Sequence, residues 1–306
     1  MAHEPPHDAT SADAAQILPV TLGRNTVPAP HFLRSRSASV AVGPASADHD
    51  LTVVVPAYNE EQRLPATLQG LADYLDPWGV DYRVLVVNDG SRDATARLTE
   101  SRGPRFSTIS QTNAGKGAAV RNGMLHATGR VVAFTDADLP YDLDSLRQGY
   151  DAIARGGCEV VFGARDLKES SVKASRKLLR TMAHFVFRTA VQMLISWQVT
   201  DTQCGLKIFS QHAAQEIFSR TTINGFAFDT EVVYLTRRLA LPFMRVPVTL
   251  INEYSSTISL TRHALPMLMD VINLRWRALR GEYDRAPLPV PAATQAAEPM
   301  RPRAAA

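Results

Sequence analysis

The chain has 306 residues, with 33 Lys and Arg against 30 Asp and Glu, a formal charge of +3 and two cysteines. So even a charge balance argues against a nucleic-acid binder coated in basic residues. Cys158 and Cys204 form neither a disulfide framework nor a zinc-ligand spacing, which fits a reducing compartment, the cytosol.

Residues 1–49 mix Pro, Ala, Ser and His without apolar periodicity, and 286–306 are poorer still in core-forming side chains. Both are expected to be disordered tails around one catalytic-sized α/β domain over 50–285. The N-terminus lacks a basic stretch followed by an apolar block, so no secretory signal is expected. No membrane span is expected either, because the most apolar long segment, 178–197, contains His184 and Arg188.

From Leu51 onward, β-rich runs alternate with helical patterns. LTVVVPAY (51–58) reads as a buried strand, and Leu64, Leu68, Leu71 and Leu75 then recur at helical spacing. YRVLVVND (82–89) is the next strand, followed by a helix with Ser91 or Asp93 as its N-cap. FSTIS (106–110), a helix over 116–127, VVAFT (131–135), a helix over 143–154 and EVVFGA (159–164) continue the series. This alternation predicts a mostly parallel, Rossmann-like sheet with helices on both faces.

Ligands of such sheets bind beyond the carboxyl ends of the strands. The residues there are polar: Tyr58-Asn59-Glu60, Asn88-Asp89-Gly90, Asn113 to Gly117, Asp136-Ala137-Asp138 and Arg165-Asp166. Two carboxylates separated by one residue after a strand suit a hard divalent cation, Mg²⁺ or Mn²⁺, completed by diphosphate oxygens and water; the other reading of Asp136 and Asp138 is an Asp-rich turn. Asp89 fits either a nucleobase N–H or a cap on the following helix. Tyr58, Asn59 and Glu60 fit a base and ribose, or a helix first turn favoured by its dipole. Asn113-Ala114-Gly115-Lys116-Gly117 fails both the Walker pattern and the dinucleotide fingerprint, leaving Lys116 and a helix N-terminus as a diphosphate neighbour. Cys204 reads as a packed thiol.

Residues 164–190 hold seven basic side chains against two acidic ones, so an anion is expected nearby. Residues 176–198 are amphipathic, with Met182, Phe185, Met193 and Trp197 on roughly one face. That face suits a bilayer, a neighbouring helix or a second copy of the chain in a homo-oligomer. A second amphipathic helix over 265–279 pairs Leu268, Val271, Ile272 and Trp276 with Arg275, Arg277 and Arg280. Apolar and basic faces together read as a membrane surface.

PAYNE (56–60), NDGSRD (88–93), NAGKGAAVRNGM (113–124), DAD (136–138), GAR (163–165), DTQCGLKIF (201–209) and FAFDTE (226–231) resemble the inverting family 2 glycosyltransferases. Within that family they are most similar to the dolichyl/polyprenyl-phosphate β-glucosyltransferases, with polyprenyl-phosphate mannosyltransferases beside them. The resemblance implies an A-type glycosyltransferase fold with C-terminal amphipathic helices, a nucleotide-sugar donor and a polyprenyl or dolichyl phosphate acceptor. It also implies peripheral attachment on the cytoplasmic side of a membrane. Pro56, Tyr58, Glu60 and Asp89 would bind the nucleoside, Lys116 would neighbour the diphosphate, and Asp136 and Asp138 would bind ribose and metal. Arg165 and Arg176, with Lys173, would meet the acceptor phosphate; Asp229 and Glu231 would orient the sugar or structure the site. The family's Gly-Ser-Lys element is replaced by 254–259, which holds no lysine, and acidic Glu253 is similar to the glucosyl branch, favouring UDP-glucose over GDP-mannose. Two other readings are a transferase with a soluble acceptor and a catalytically silent nucleotide-sugar-binding module.

Overall fold

The computed structural model describes residues 47–167, 170, 203–251 and 260–284. Five apolar runs become parallel strands: β1 (His49–Ala57), β2 (Tyr82–Asp89), β3 (Phe106–Gln111), β4 (Gly129–Phe134) and β5 (Val160–Ala164). Between them run α1 (Leu64–Leu75), α2 (Thr95–Glu100), α3 (Lys116–His126) and α4 (Asp144–Ala154). β6 (Lys207–Ser210), α5 (Gln211–Phe218), α6 (Phe228–Arg238), β7 (Phe243–Pro247) and α7 (Leu260–Leu279) follow.

The seven strands make one sheet in the order β3-β2-β1-β4-β6-β5-β7. β6 alone runs antiparallel, to both β4 and β5. Its register pairs Lys207 with Phe134 and Phe162, so β6 begins at the edge where the parallel strands finish. That reversal carries a charged residue into the carboxyl edge of the sheet.

Side-chain alternation divides the core into two layers. Val54, Val87, Phe134, Phe162 and Phe209 pack against α3, α5, α6 and α7. On the opposite face Val53, Val86, Val131, Val161 and Ile208 pack against α1 and α4. The predicted leucine stripe of α1 is fully buried, each side chain contributing roughly 1.5–3 kcal/mol. α3 instead approaches the sheet through small residues: a Cβ on Gly123 would lie 2.4 Å from Val54 Cγ1.

Several expectations needed revision. The N-cap of α2 is Ala94, without a side-chain cap; Asp93, whose Oδ1 accepts from the Thr95 N–H, stands one residue before the cap position. β6, α5, α6 and β7 were not predicted, because β6 is short and the two helices carry mixed polarity. α5 is capped by Ser210, whose hydroxyl accepts from Ala213 N at 3.0 Å. In α7, Val271 and Leu274 join the core, whereas Met269, Trp276 and Leu279 are 50–65% exposed. Among the described residues no helix is long and apolar enough to cross a membrane. The amphipathic stretch 176–198, residues 286–306 and all but the last of 1–49 fall outside the described residues, apart from 47 and 48.

Both cysteines are buried thiols, and burial pushes the Cys158 thiol up to about 11. A thiol below its pKa is neutral and a poor nucleophile. Cys158, neutral and buried, and Cys204, shielded at 1% exposure, are expected not to react with a disulfide reagent at pH 8 in the native chain, while both react in denaturant; absorbance of the released thiolate checks this.

Candidate active site

Beyond β1 the chain turns at Asn59, whose φ of 54° is left-handed. Side chains after β2 hold this turn: the Asn59 N–H donates to Ser91 Oγ and the Glu60 N–H to Thr95 Oγ1, both at 2.9 Å. In return Asn59 Oδ1 accepts from the Arg92 N–H at 2.9 Å. The clasp leaves Tyr58 about half exposed on the cleft rim, while Pro56 stays buried inside β1 opposite Val87. Glu60 pairs with Arg63 at 3.3 Å. Burial raises its carboxyl above the ordinary range, Arg63 opposes this, and Asp138 adds to it.

Asp89 is buried and faces the next loop. Its Oδ1 accepts from the Ala114 N–H and Gln111 Nε2, both at 2.8 Å, and its Oδ2 accepts from the Gly115 N–H at 2.9 Å. It therefore braces 113–115 instead of capping α2. Gly90, with φ of 72°, permits this approach, since a Cβ there would lie 2.7 Å from Asn113 N.

The first N–H groups of α3 were expected to face a diphosphate. They are turned elsewhere: the Asn224 carbonyl accepts from Gly117 N at 2.7 Å and from Ala118 N at 3.4 Å. A helix begins with unsatisfied donors, and here the 221–225 loop supplies the acceptor. What α3 offers the cleft is the Lys116 side chain, whose Nζ lies 2.5 Å from Asp136 Oδ1.

Asp136 and Asp138 follow β4 directly, as predicted from VVAFT. Asp136 Oδ1 is shut off from solvent, with the Lys116 ammonium as its partner. Its Oδ2 backs onto Gly205, where a Cβ would stand 2.3 Å away, so any larger residue there would push the carboxylate aside. Asp138 is half-buried, and its carboxyl is raised first by burial and then by the neighbouring Asp136 charge. Burial pulls the Lys116 ammonium down, but Asp136 and Asp229 outweigh it and leave the group raised.

Two crowded carboxylates are relieved by a cation, and oxygen donors suit Mg²⁺ or Mn²⁺. Among the described residues no three His, Cys, Asp or Glu side chains cluster to enclose an ion. Such a pair matches Mg²⁺-type binding, where one or two carboxylates are completed by phosphate and water. Asp136 and Asp138 thus fit the group the resemblance implied.

Asp229 and Glu231, two residues apart on α6, have different surroundings. Asp229 is bonded to the buried Lys207 ammonium; burial raises its carboxyl, and Lys207 and Lys116 oppose that shift. Glu231 is fully buried and accepts from the Thr222 and Ile223 N–H groups, Thr222 Oγ1 and Tyr283 OH at 2.7–3.0 Å. Its contacts thus hold the 222–223 loop that leads to Asn224. Arg165 follows β5 at the same sheet edge and is half-buried; Lys173 and Arg176 lie outside the described residues. Sequence reasoning missed Lys207, Asn224 and Gln111. A lysine opening the apolar run Lys-Ile-Phe was the available signal for the first, and a backbone carbonyl gives none for the second.

Glu231→Gln would turn an amide N–H₂ toward backbone N–H donors. Unfolding in urea is expected to show a loss of about 3 kcal/mol, and a loss below about 0.5 kcal/mol would contradict the bracing role.

Comparison with known proteins agrees with this geometry. Residues 52–218 match the model of the glycosyl transferase family 2. The chain is 32% identical over 247 residues to a dolichyl-phosphate beta-glucosyltransferase of Dictyostelium discoideum, covering 76% of this chain and 75% of that one. It is 31% identical over 252 residues to the Homo sapiens protein of the same name, with coverage of 76% and 77%. Among solved structures, mannosyl-3-phosphoglycerate synthase of Rubrobacter xylanophilus superposes with a TM-score of 0.57 at 18% identity, covering 80% of this chain and 78% of that one. Glucosyl-3-phosphoglycerate synthase of Mycobacterium tuberculosis, solved with Mn²⁺, UDP-glucose and phosphoglyceric acid, gives 0.55 at 19% identity, with coverage of 79% and 82%. These likenesses show the A-type glycosyltransferase fold, and the chain belongs to glycosyl transferase family 2.

Proposed function

We propose that the chain transfers glucose from UDP-glucose to the phosphate of a polyprenyl or dolichyl phosphate, inverting the anomeric carbon. The observation carrying this reading is the Lys116–Asp136 pair with Asp138 at the carboxyl edge of a family 2 sheet. The named activity of the curated relatives supports the donor and acceptor.

Cleavage of the sugar–diphosphate bond leaves growing negative charge on the nucleotide. Lys116 meets that charge with an ammonium already fixed in the cleft, so little reorganisation accompanies the transition state. Asp136 and Asp138 would hold a divalent ion, which supplies further charge neutralisation to the leaving group. Glu60, Tyr58 and Asp89 line or brace the nucleoside end. The acceptor, a phosphate monoester with a second pKa near about 6, is largely dianionic at neutral pH and attacks without a general base. The chain must then hold two anions together, and Arg165 and Arg176, with Lys173, are assigned to the acceptor phosphate through charge-assisted hydrogen bonds. Attack opposite the departing diphosphate inverts the anomeric centre and gives a β-linked product.

A lipid acceptor requires the cleft to stand at a bilayer. The exposed Met269, Trp276 and Leu279 of α7, flanked by Arg275 and Arg280, support peripheral attachment to a membrane surface. Replacing Trp276 and Leu279 together by Glu is expected to reduce cosedimentation with anionic vesicles by about tenfold or more; unchanged cosedimentation would contradict this attachment.

Radiolabelled UDP-glucose incubated with polyprenyl phosphate in vesicles and a divalent ion tests the activity. The expected result is lipid-linked glucose, reduced at least about a hundredfold by Asp138→Asn and by Lys116→Met. Labelling only from GDP-mannose would overturn the donor assignment, transfer only to soluble phosphate esters would overturn the acceptor, and no transfer at all would leave a binding module.

A further inference from the structure

Lys207 is 1% exposed, although an ammonium taken out of water is costly unless it is paired and hydrogen-bonded. Its Nζ bonds the Asp229 carboxylate, donates to the Cys204 carbonyl at 2.7 Å and lies 5.4 Å from the centre of the Phe134 ring. Buried ion pairs of this kind can often be replaced by apolar residues of similar volume without loss of stability. Folding alone therefore gives no reason for the charges.

Each partner of Lys207 leads back to the Lys116–Asp136 pair. Cys204 precedes Gly205, where an added Cβ would stand 2.3 Å from Asp136 Oδ2. Phe134 closes β4, two residues before Asp136. Asp229 stands in the first turn of α6, directly after the loop whose Asn224 carbonyl accepts from the first turn of α3.

We propose that the buried Lys207–Asp229 pair is a positioning element for glycosyl transfer: Lys207, held by Asp229, clamps the Cys204–Gly205 turn behind Asp136. Both side chains are buried, Lys207 at 1% and Asp229 at 5% exposure. The inference rests on the glycosyl-transfer reading above, but one arm of its test reads Mn²⁺ and UDP binding without turnover.

The test compares Lys207→Met, Asp229→Asn, the double variant and Gly205→Ala with the wild-type full-length chain. Measurements are the melting temperature, Mn²⁺ affinity in the presence of UDP by electron paramagnetic resonance, and kcat and KM for donor and acceptor. Each single charge variant strands a buried partner and is expected to melt lower, whereas the double variant recovers most of that loss. The double variant is nevertheless expected to bind Mn²⁺ about tenfold more weakly and to lose about tenfold or more in kcat, with acceptor KM within about twofold of wild type. Its kcat loss should not exceed that of the worse single variant, as for residues acting as one unit.

Gly205→Ala crowds Asp136 directly while leaving the Lys207 and Asp229 side chains in place, and should reproduce the weakened Mn²⁺ binding. A double variant that melts like wild type and retains wild-type Mn²⁺ affinity and kcat would overturn the proposal. Should the double variant fail to fold, wild-type Mn²⁺ affinity in Gly205→Ala overturns it equally. A wild-type chain that binds Mn²⁺ and UDP but transfers no sugar would defeat the transfer reading instead.

Discussion

The cleft is organised by one ion pair, Lys116 with Asp136, formed across the carboxyl edge of the sheet between the start of α3 and the end of β4. Two unlike charges in a partly enclosed site attract more strongly than on an open surface, and each would be costly there alone. The pair therefore constrains its surroundings: α3 must begin at a fixed height above the sheet, and the turn after β4 must run beside it. Asp138 adds a second negative group and tips the local balance toward an incoming cation.

Most of the other polar residues at this edge support that pair. Asp89 is spent on the backbone of 114 and 115, just ahead of Lys116. Asn224 gives its carbonyl to the first turn of α3, and Glu231 holds the loop from which Asn224 extends. Tyr283 and Arg277 bond Glu231 and Thr222 from the C-terminal side, so α7 and the turn after it are tied to the loop that sets the height of α3. Contacts from four separate segments thus converge on one ammonium and one carboxylate. Fixing these groups before substrate arrives is the condition under which charge stabilisation is effective in catalysis.

The parallel half of the fold was legible because buried strands are continuous apolar runs and α1 shows a leucine every third or fourth residue. DAD was legible for the same reason, since strand ends are where such sheets present ligands to solvent. Lys207 was hidden because its role depends on the reversed direction of β6, which four residues cannot announce. The helix N-terminus of α3 misled for a related reason: a glycine-rich start signals close approach by something, and that something is the Asn224 carbonyl. Glu231 and Asp229 look interchangeable in FAFDTE, yet two residues along the helix separate a loop brace from a lysine partner.

A crystal soaked with UDP and Mn²⁺, with data collected for anomalous scattering from manganese, tests the central claim most directly. The account predicts one anomalous peak within coordinating distance of an Asp138 oxygen and of the diphosphate, with Lys116 Nζ turned from Asp136 toward a phosphate oxygen. A nucleotide bound away from this edge, or a manganese peak that touches neither Asp136 nor Asp138, would contradict it.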